Sequence, residues 1–314
     1  MTYKILIPQD ISSPGKDYLI EKGYAIKMGT GYDEDTMIRE IADCDGVIVR
    51  NFTFNRNVIQ AAKRLKVIAR HGVGYDNIDV KAATECGIRV TYAPFSNSLS
   101  VAEHVICFIL SSAHNLVLCD TEMRKGNFEI RHTLNGSDVS GKTLGIIGFG
   151  RIGKLVAQKA KLGLDMRVII FDPFVSSFDN FEYEYMDSLE KLLGISDFVT
   201  LHIPLNEKTK DYIGKRELEL MKPSSCIINA ARGGIVNEHD LLHALKDGVI
   251  SFACLDVFEE EPVKKDNPLL SLKNSIVTPH SATLTAESLE RMGLHAAQGI
   301  DEVLQGRKPT WAVN

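Results

Sequence analysis

The sequence predicts an α/β protein that carries two doubly wound parallel sheets, one in each of two domains. Short apolar segments alternate with segments of helical periodicity along the whole chain, and this alternation is typical of parallel sheets with helices on both faces. The chain has 314 residues, which is enough for two domains of roughly 150 residues each. A glycine-rich turn at Gly148, Gly150 and Gly153 lies between a predicted strand and a predicted helix and begins the second domain's alternation.

The first third of the chain alternates between predicted strands and helices at short intervals. The strands are short apolar runs, at residues 4–8, 24–28, 46–49 and 66–69. The helices have apolar positions at helical spacing, at residues 14–21, 33–41 and 55–62, and Gly23 ends the first of them. Residues 93–100 interrupt the alternation. A single, mostly apolar helix is then predicted over residues 101–119, followed by a polar connector or arm over residues 126–141.

The second half resumes the alternation after the glycine-rich turn. Its predicted strands are again short and apolar, at residues 144–147, 167–171, 198–201, 226–229, 252–255 and 275–277. Its predicted helices are at residues 154–162, 188–193, 215–221, 238–246 and 285–304. Both halves are therefore expected to be doubly wound.

The composition argues against several classes of function. The formal net charge is −5 and no basic run occurs, so neither nucleic acid nor an anionic membrane is an expected partner. The six cysteines are scattered, without a C-x-x-C pair or a histidine at metal-ligand spacing. We therefore expect reduced, mostly buried thiols in a cytoplasmic protein without a metal site. The N-terminus has no apolar signal core, and the apolar runs are too short to span a bilayer.

The glycine-rich turn predicts a dinucleotide site. The first glycine permits a tight turn, the second lets the backbone approach a pyrophosphate, and the third lets the helix pack closely on its strand. Asp172 ends the next predicted strand, 19 residues after Gly153, where an acid binds the ribose hydroxyls of NAD. No arginine or lysine follows at residues 173–177, so NAD is favoured over NADP. The alternative is an ordinary strand–helix turn with a surface aspartate.

Two arginines follow predicted strands of the first domain. Arg50 comes after residues 47–49, and Arg70 after residues 67–69. Ligands of open α/β sheets bind at the carboxyl ends of the strands. Gly72 and Gly74 follow directly and can present backbone N–H groups to an anion. The alternative is an ordinary loop with solvated arginines.

Three ionisable residues of the second half lie just past strands or in loops: Arg232, Glu261 and His280. Hydride transfer between a nicotinamide and a secondary alcohol needs a proton partner, and histidine suits that task near neutral pH. A neighbouring carboxylate would orient the imidazole, and an arginine can bind a substrate carboxylate in bidentate fashion. Each residue could equally belong to an ordinary turn or a solvated loop.

The motifs taken together resemble the D-isomer-specific 2-hydroxyacid dehydrogenase family, and within it the D-3-phosphoglycerate dehydrogenase branch. The matching stretches cover nearly the whole chain, at residues 70–79, 93–104, 145–153, 201–205, 228–234, 255–258 with Glu261 and Pro262, and 278–280. The resemblance implies a flavodoxin-like substrate domain of residues 1–98 and 285–314. It also implies an inserted Rossmann NAD-binding domain of residues 99–284, with the active site in the cleft, and a homodimer formed through the helix from Val101 and the arm from Gly126.

The resemblance also implies roles for individual residues. Arg232, Glu261 and His280 fall on the catalytic arginine, glutamate and histidine. Cofactor positions are Gly148, Gly150, Arg151, Ile152, Gly153, Asp172, His202, Pro204, Thr209, Ala230, Arg232, Asp256 and His280, with Asp256 near the carboxamide. Substrate positions are Val73 and Gly74 as a backbone cradle, Asn97 and Ser100 beside it, and Arg50 and Arg70 for a phosphate.

The expected activity is NAD-dependent oxidation of D-3-phosphoglycerate to 3-phosphohydroxypyruvate, as in serine biosynthesis, or the reverse reduction. The alternatives are a hydroxypyruvate or glyoxylate reductase, another 2-keto acid reductase, and an NAD-sensing protein like the corepressors that share this fold. His71, Val73, Tyr75, Asn206 and the pair Ser281–Ala282 depart from the branch's pattern, which leaves the exact 2-hydroxy acid open. The chain stops at Asn314, so feedback through a C-terminal serine-sensing domain is not expected.

Overall fold

The computed structural model describes residues 2–174 and 183–314, which form two compact units. Unit 1 contains the chain up to Ser98 together with Thr283–Asn314, and unit 2 is Leu99–Ala282. Each unit contains a parallel sheet with its own hydrophobic core, and the predicted α/β fold class is confirmed.

Unit 1 is built on a five-stranded sheet in the order β2-β1-β3-β4-β5. Its strands are β1 Lys4–Ile7, β2 Ala25–Met28, β3 Gly46–Val49, β4 Val67–Arg70 and β5 Arg89–Thr91. Its helices are α1 Ser13–Glu21, α2 Glu34–Ile41, α3 Arg56–Ala61, α4 Val80–Glu85 and α11 Ala286–Leu304. All the pairings are parallel, and the strand order is that of flavodoxin-like folds.

Unit 2 is built on a seven-stranded sheet in the order β12-β11-β10-β9-β6-β7-β8. Its strands are β6 Thr143–Ile147, β7 Arg167–Phe171, β8 Glu184–Tyr185, β9 Phe198–Leu201, β10 Cys226–Asn229, β11 Phe252–Leu255 and β12 Ser275–Val277. The helices between them are α7 Arg151–Leu164, α8 Leu189–Ile195, α9 Lys215–Glu219 and α10 Glu238–Lys246. The order reverses between β6 and β9, which is the switch point where doubly wound sheets bind ligands.

The central strands are mostly apolar and are buried along their whole length, because helices cover both faces of each sheet. All five residues of β6 are buried, as are all four of β3, β9 and β10. Consecutive residues of β6 point into opposite cores: Ile146 lies in one hydrophobic cluster and Ile147 in the other. These short buried strands make the sheet ends rigid supports for the loops that follow.

The single helix predicted over residues 101–119 is wrong. The segment forms α5 Ser98–Ala113 and α6 Leu116–Arg124, which differ in direction by 63°. Asn115 separates them with a left-handed φ of 52°, a conformation that asparagine tolerates better than most residues. A 3₁₀ helix, Phe128–His132, lies within the segment expected to be a polar connector.

Other expectations also need correction. Arg70 is the last residue of β4 rather than the first residue after it, and α4, β5 and β8 were not predicted from their short segments. The thiols are not mostly buried, since Cys86 and Cys107 are exposed and Cys119 is half-buried. Only the other three cysteines are buried, and all six are unpaired.

Within the described residues, no single helix has the length and apolar composition needed to cross a membrane. The bent pair of α5 and α6 has that length and composition only when the two helices are taken together.

Candidate active site

The three glycines of the glycine-rich turn in unit 2 have the geometry expected of a dinucleotide site. Gly148 has a φ of +92°, and a Cβ there would lie 2.6 Å from the carbonyl oxygen of His202. A Cβ on Gly153 would lie 2.3 Å from the carbonyl oxygen of Gly148, so the start of α7 packs directly on the turn. A Cβ on Gly150 would meet no protein atom within 4 Å. The space over Gly150, the N-cap of α7, therefore fits a pyrophosphate at a helix N-terminus.

Asp172 follows β7 and is linked to this turn. Its carboxylate accepts hydrogen bonds from the backbone N–H of Phe149 at 2.7 Å and of Phe174 at 2.9 Å. The acid predicted to bind ribose hydroxyls thus also fixes the glycine-rich turn. Pro173 and Phe174 are exposed, and residues 175–177, part of the predicted cation-free segment, lie outside the described residues. Arg151 and Ile152 form the first turn of α7, the former exposed and the latter half-buried.

The loop after β9 supports the same edge of the sheet. The His202 backbone N–H donates to the carbonyl of Ile147 at 2.8 Å, and its Nε2 lies 3.1 Å from the hydroxyl of Thr200. Burial lowers the pKa of His202 to about 3, so the imidazole is neutral. The hydroxyl of Thr209 donates to the carbonyl of Pro204 at 2.6 Å. The three predicted cofactor residues His202, Pro204 and Thr209 all lie in the segment that directly follows β9.

Arg232 lies in a tight loop after β10. The side chain of Asn229 accepts from the Ala231 N–H at 3.1 Å and donates to the Arg232 carbonyl at 2.9 Å. The Arg232 guanidinium donates to the carbonyl of Ala231 at 2.7 Å. Ala230, the first residue after the strand, is buried. The loop therefore has a defined conformation at the carboxyl end of the sheet.

Glu261 and His280 form a direct pair. Nδ1 of His280 lies 2.8 Å from Oε2 of Glu261, and Oε1 of Glu261 accepts the Phe258 N–H at 3.0 Å. Burial acts to raise the pKa of Glu261, but the bonds from His280 and Phe258 and the charge of Arg232 together lower it below its ordinary value. Glu261 is therefore ionised near neutral pH. Because Nδ1 is engaged, Nε2 of His280 is the nitrogen available to a substrate.

Asp256 lies fully buried beneath the turn that carries His280. Its carboxylate accepts the Thr278 hydroxyl at 2.5 Å and the backbone N–H groups of Ser281 at 2.8 Å and Ala282 at 2.9 Å. His280 itself has a left-handed φ of 52°. Asp256, predicted to lie near the carboxamide, is thus placed to hold this turn.

His104 of α5 extends the network. Its Nε2 lies 3.2 Å from the Thr278 hydroxyl and 3.8 Å from Oδ1 of Asp256. Burial lowers the pKa of His104, against the opposing effect of the Asp256 charge. Sequence reasoning missed this residue, although the matching stretch of residues 93–104 ends on it.

The predicted substrate residues of unit 1 differ in their surroundings. The Arg50 guanidinium donates to the carbonyl of Asp10. The Arg70 guanidinium donates to the carbonyls of Gly74 and His71, both at 2.5 Å, and to that of Val49 at 3.4 Å. Arg70 therefore shapes the loop over residues 71–74, which contains the predicted cradle of Val73 and Gly74.

His71 lies at the base of this loop. It is 4% exposed, and its Nε2 has no hydrogen-bond partner among the described residues. Burial, together with the charges of Arg50 and Arg70, lowers the pKa of His71 to about 3. The ring is thus a neutral group beside two cations.

The remaining predicted residues lie in different units. Asn97, in unit 1, is buried and its Oδ1 lacks a partner in the described part of the chain, and Ser100 is buried in unit 2. Among residues 2–174 and 183–314, no group of three or more His, Cys, Asp or Glu side chains could hold a metal ion.

Comparison with known proteins identifies the family. The sequence profile described as D-isomer specific 2-hydroxyacid dehydrogenase, NAD binding domain, matches residues 106–282. A glyoxylate reductase of Korarchaeum cryptofilum is 39% identical over 286 residues, which are 88% of this chain and 85% of that protein. The chain belongs to the D-isomer specific 2-hydroxyacid dehydrogenase family.

Other members of the family are similar over nearly the whole chain. A D-3-phosphoglycerate dehydrogenase of Archaeoglobus fulgidus is 41% identical over 314 residues, which are 99% of this chain and 59% of that protein. The chain thus spans about three fifths of that relative's length. A solved protein of Thermus thermophilus superposes with a TM-score of 0.93 at 32% identity, covering 99% of this chain and all of the other.

Membership in the D-isomer specific 2-hydroxyacid dehydrogenase family confirms the predicted fold and the nicotinamide cofactor, NAD. The family's NAD binding domain coincides with the part of unit 2 that contains the glycine-rich turn.

Sequence reasoning found the glycines and Asp172, but missed Asn229, Thr278 and His104. Asn229 could have been found, because an amide at a strand end before a tight loop is a common backbone anchor.

Proposed function

We propose that this protein is an NAD-dependent D-2-hydroxyacid dehydrogenase in which His280 exchanges the substrate proton. The observation that carries the proposal is the 2.8 Å pair between His280 Nδ1 and Glu261 Oε2. An ionised carboxylate on Nδ1 keeps the proton on that nitrogen, so Nε2 is a base in the neutral ring. The same carboxylate stabilises the imidazolium that forms when Nε2 takes a proton.

In the oxidative direction, Nε2 of His280 accepts the proton of the substrate C2 hydroxyl. Bound NAD supplies a hydride acceptor when the site is loaded. The O–H bonding pair, left on oxygen by the proton transfer, would become the second bond of the C2 carbonyl as the C–H pair departs with the hydride, and the reduction would reverse both transfers. Arg232 is the proposed anchor of the substrate carboxylate, since a guanidinium binds a carboxylate in planar, bidentate geometry.

Gly148, Gly150, Gly153 and Asp172 are proposed to hold NAD. The open space above Gly150 receives the pyrophosphate and the Asp172 carboxylate receives the ribose. The other predicted cofactor positions, Arg151, Ile152, His202, Pro204, Thr209, Ala230 and Asp256, remain proposals. The acid at residue 172 favours NAD over NADP, because a 2′-phosphate would be repelled by the carboxylate.

The proposed substrate is D-3-phosphoglycerate, which would place the protein in serine biosynthesis. The similarity to D-3-phosphoglycerate dehydrogenases supports this choice. We propose Arg50 as the phosphate ligand, whereas Arg70, with three carbonyl partners, holds the Val73–Gly74 cradle. Asn97 and Ser100 are proposed substrate contacts. The glyoxylate reductase relative, matched over most of its own length, supports reduction of a small 2-keto acid as the second candidate.

A homodimer is proposed through α6 and the 3₁₀ helix that follows. Neither element has a buried residue, and Leu116, Met123 and Phe128 are each more than half exposed. A second copy of the chain would cover these apolar side chains. Six unpaired cysteines support the proposed cytoplasmic location.

The test is the initial rate of NADH oxidation with 3-phosphohydroxypyruvate, hydroxypyruvate, glyoxylate and pyruvate. We expect a preference for the phosphorylated acid that disappears in Arg50→Ala. We also expect His280→Ala to bind NADH normally and to lose about 100- to 10,000-fold in kcat, while His243→Ala, on an exposed histidine of α10, keeps full activity. Near-full turnover by His280→Ala would refute the proton-transfer assignment. A preference for the unphosphorylated acids would favour the second candidate.

A further inference from the structure

The two loops of unit 2 that carry Arg232 and Glu261 are packed backbone to backbone. A Cβ on Gly233 would lie 1.8 Å from the carbonyl oxygen of Phe258 and 2.7 Å from the backbone nitrogen of Glu259. Real Cβ contacts are never so short, so residue 233 must be glycine for the loops to meet. The arginine loop and the glutamate loop therefore have one fixed relative position.

A second contact joins the same loops through two glutamates, Glu238 and Glu259. The Glu238 N–H donates to Oε1 of Glu259 at 3.0 Å, and the Glu259 N–H donates to Oε1 of Glu238 at 2.5 Å. Each carboxylate thus accepts the other residue's backbone N–H. Such charge-assisted bonds are stronger than neutral ones. Glu238 is the first residue of α10, so the helix N-terminus also favours the Glu259 carboxylate.

Two further contacts anchor the Glu238 side of the reciprocal pair. Asn237, the N-cap of α10, accepts the Asp240 N–H at 3.0 Å, which fixes the start of the helix. Asn267 donates to Oε2 of Glu238 at 3.2 Å. The Glu238 side chain is therefore held in place by a neighbour outside the two loops.

Glu261 is two residues beyond Glu259 and takes its orientation from the same loop. Its Oε1 accepts the Phe258 N–H, and its Oε2 meets His280. Phe258 directly precedes Glu259, so the position of the Phe258 N–H depends on where the Glu259 backbone is fixed. No contact between Glu259 and His280 is required.

We propose that Glu238 and Glu259 are positioning residues whose reciprocal hydrogen bonds hold Glu261 against His280. The proposal rests on the proposed function, in which Glu261 supports the proton exchange at His280. Neither Glu238 nor Glu259 is proposed to contact substrate or cofactor.

A matched set of variants separates this role from general stability. Glu259→Ala removes the carboxylate, whereas Glu259→Gln keeps an oxygen that can accept the Glu238 N–H. Glu260→Ala is the control: Glu260 is the next residue, is exposed, and pairs with Lys264 at 2.8 Å. Should Glu259→Ala not fold, Glu259→Asp keeps the charge but shortens the reach by one methylene.

The charged groups that act on Glu261 are His280 and Arg232, and the Phe258 N–H adds a hydrogen bond that lowers its pKa. Weakening that bond should raise the pKa of Glu261. In the reduction of the keto acid, the acid limb of the kcat/KM profile reports the ionisation of Glu261. We expect this limb to move up by about one pH unit in Glu259→Ala. We also expect kcat to fall about tenfold with an unchanged KM for NADH. Glu259→Gln should restore most of kcat, and Glu260→Ala should match the wild type.

A wild-type profile and kcat in a folded Glu259→Ala would overturn the proposal, as would an equal loss in Glu260→Ala. If the wild-type enzyme reduces no 2-keto acid, the proposed function fails, and the positioning role is tested without turnover. ¹³C NMR titration then follows the Glu261 carboxyl, identified by its absence in Glu261→Gln. A higher midpoint in Glu259→Ala than in Glu260→Ala supports the proposal, and equal midpoints overturn it.

Discussion

His71 gives the protein a defined loss of stability in mild acid. Its ring is 4% exposed, its Nε2 is unpartnered within the described residues, and burial beside Arg50 and Arg70 lowers its pKa to about 3. In the unfolded chain a histidine titrates near 6.5. The unfolded state therefore binds one more proton than the folded state between those two values. Stability contributed by the neutral ring is complete above pH 6.5 and declines as the pH falls toward 3.

The size of the effect follows from linkage. Each pH unit in this window costs about 1.4 kcal/mol per buried neutral histidine. Between pH 6.5 and pH 5.0 unit 1 should thus lose about 2 kcal/mol through His71 alone. His71→Gln has no titrating ring, so its stability should fall by about 2 kcal/mol less over the same interval.

The assay uses the chain's only tryptophan. Trp311 contacts Phe95 and His295 within unit 1, so its fluorescence reports the unfolding of that unit in urea. The wild type, His71→Gln and His243→Gln are compared at pH 6.5 and pH 5.0, with His243 as an exposed control outside the proposed dimer surface. The reasoning is refuted if His71→Gln loses as much free energy of unfolding as the wild type, or if His243→Gln is equally protected.

Three further predictions concern single contacts. Tyr24→Phe should destabilise unit 1 by about 1–3 kcal/mol in urea unfolding, because its hydroxyl donates at 2.7 Å to the buried carboxylate of Asp301. Gly150→Ala should raise the Kd for NADH at least about tenfold in a fluorescence titration, since its Cβ would occupy the open space at the N-terminus of α7. Gly163→Ala, also in open space on α7, is the control and should leave the Kd unchanged. Asp256→Asn should lower the Tm and kcat together. The NH₂ group of the new side chain would face the Ala282 N–H, which in the wild type donates to the Asp256 carboxylate.

The fold was predictable because its strands are buried on both faces. The runs at β3, β6, β9 and β10 are mostly apolar and fully buried, and their boundaries follow closely from that pattern. The break between α5 and α6 was not predictable in this way, because both helices are apolar and the change of direction depends on a left-handed Asn115. Periodicity shows apolar faces, but it contains no information on a single backbone dihedral.

The candidate site likewise contains residues that the sequence predicts and contacts that it does not predict. Gly148 and Asp172 follow strands directly, and His280 lies three residues past the end of one, so a local pattern locates them. The bonds of Asp256 to residues 278–282 and the Glu238–Glu259 pair join segments 21 or more residues apart. Such pairs arise from tertiary packing and leave no mark on local spacing. The restraint on Arg70 is of the same kind, since it depends on carbonyls that only the folded loop brings together.

The conformation of His280 explains why its turn needs so many donors. A left-handed φ in a residue with a Cβ is unfavourable by about 1 kcal/mol or more. The His280 N–H donates to the Asp256 carbonyl at 2.8 Å, and the Asp256 carboxylate accepts four hydrogen bonds from residues 278–282. These bonds offset the strain and keep Nδ1 against Glu261. The position of His280 therefore depends on the buried carboxylate of Asp256 and on the loop of Glu261, which the hydrogen bonds between Glu238 and Glu259 hold in place.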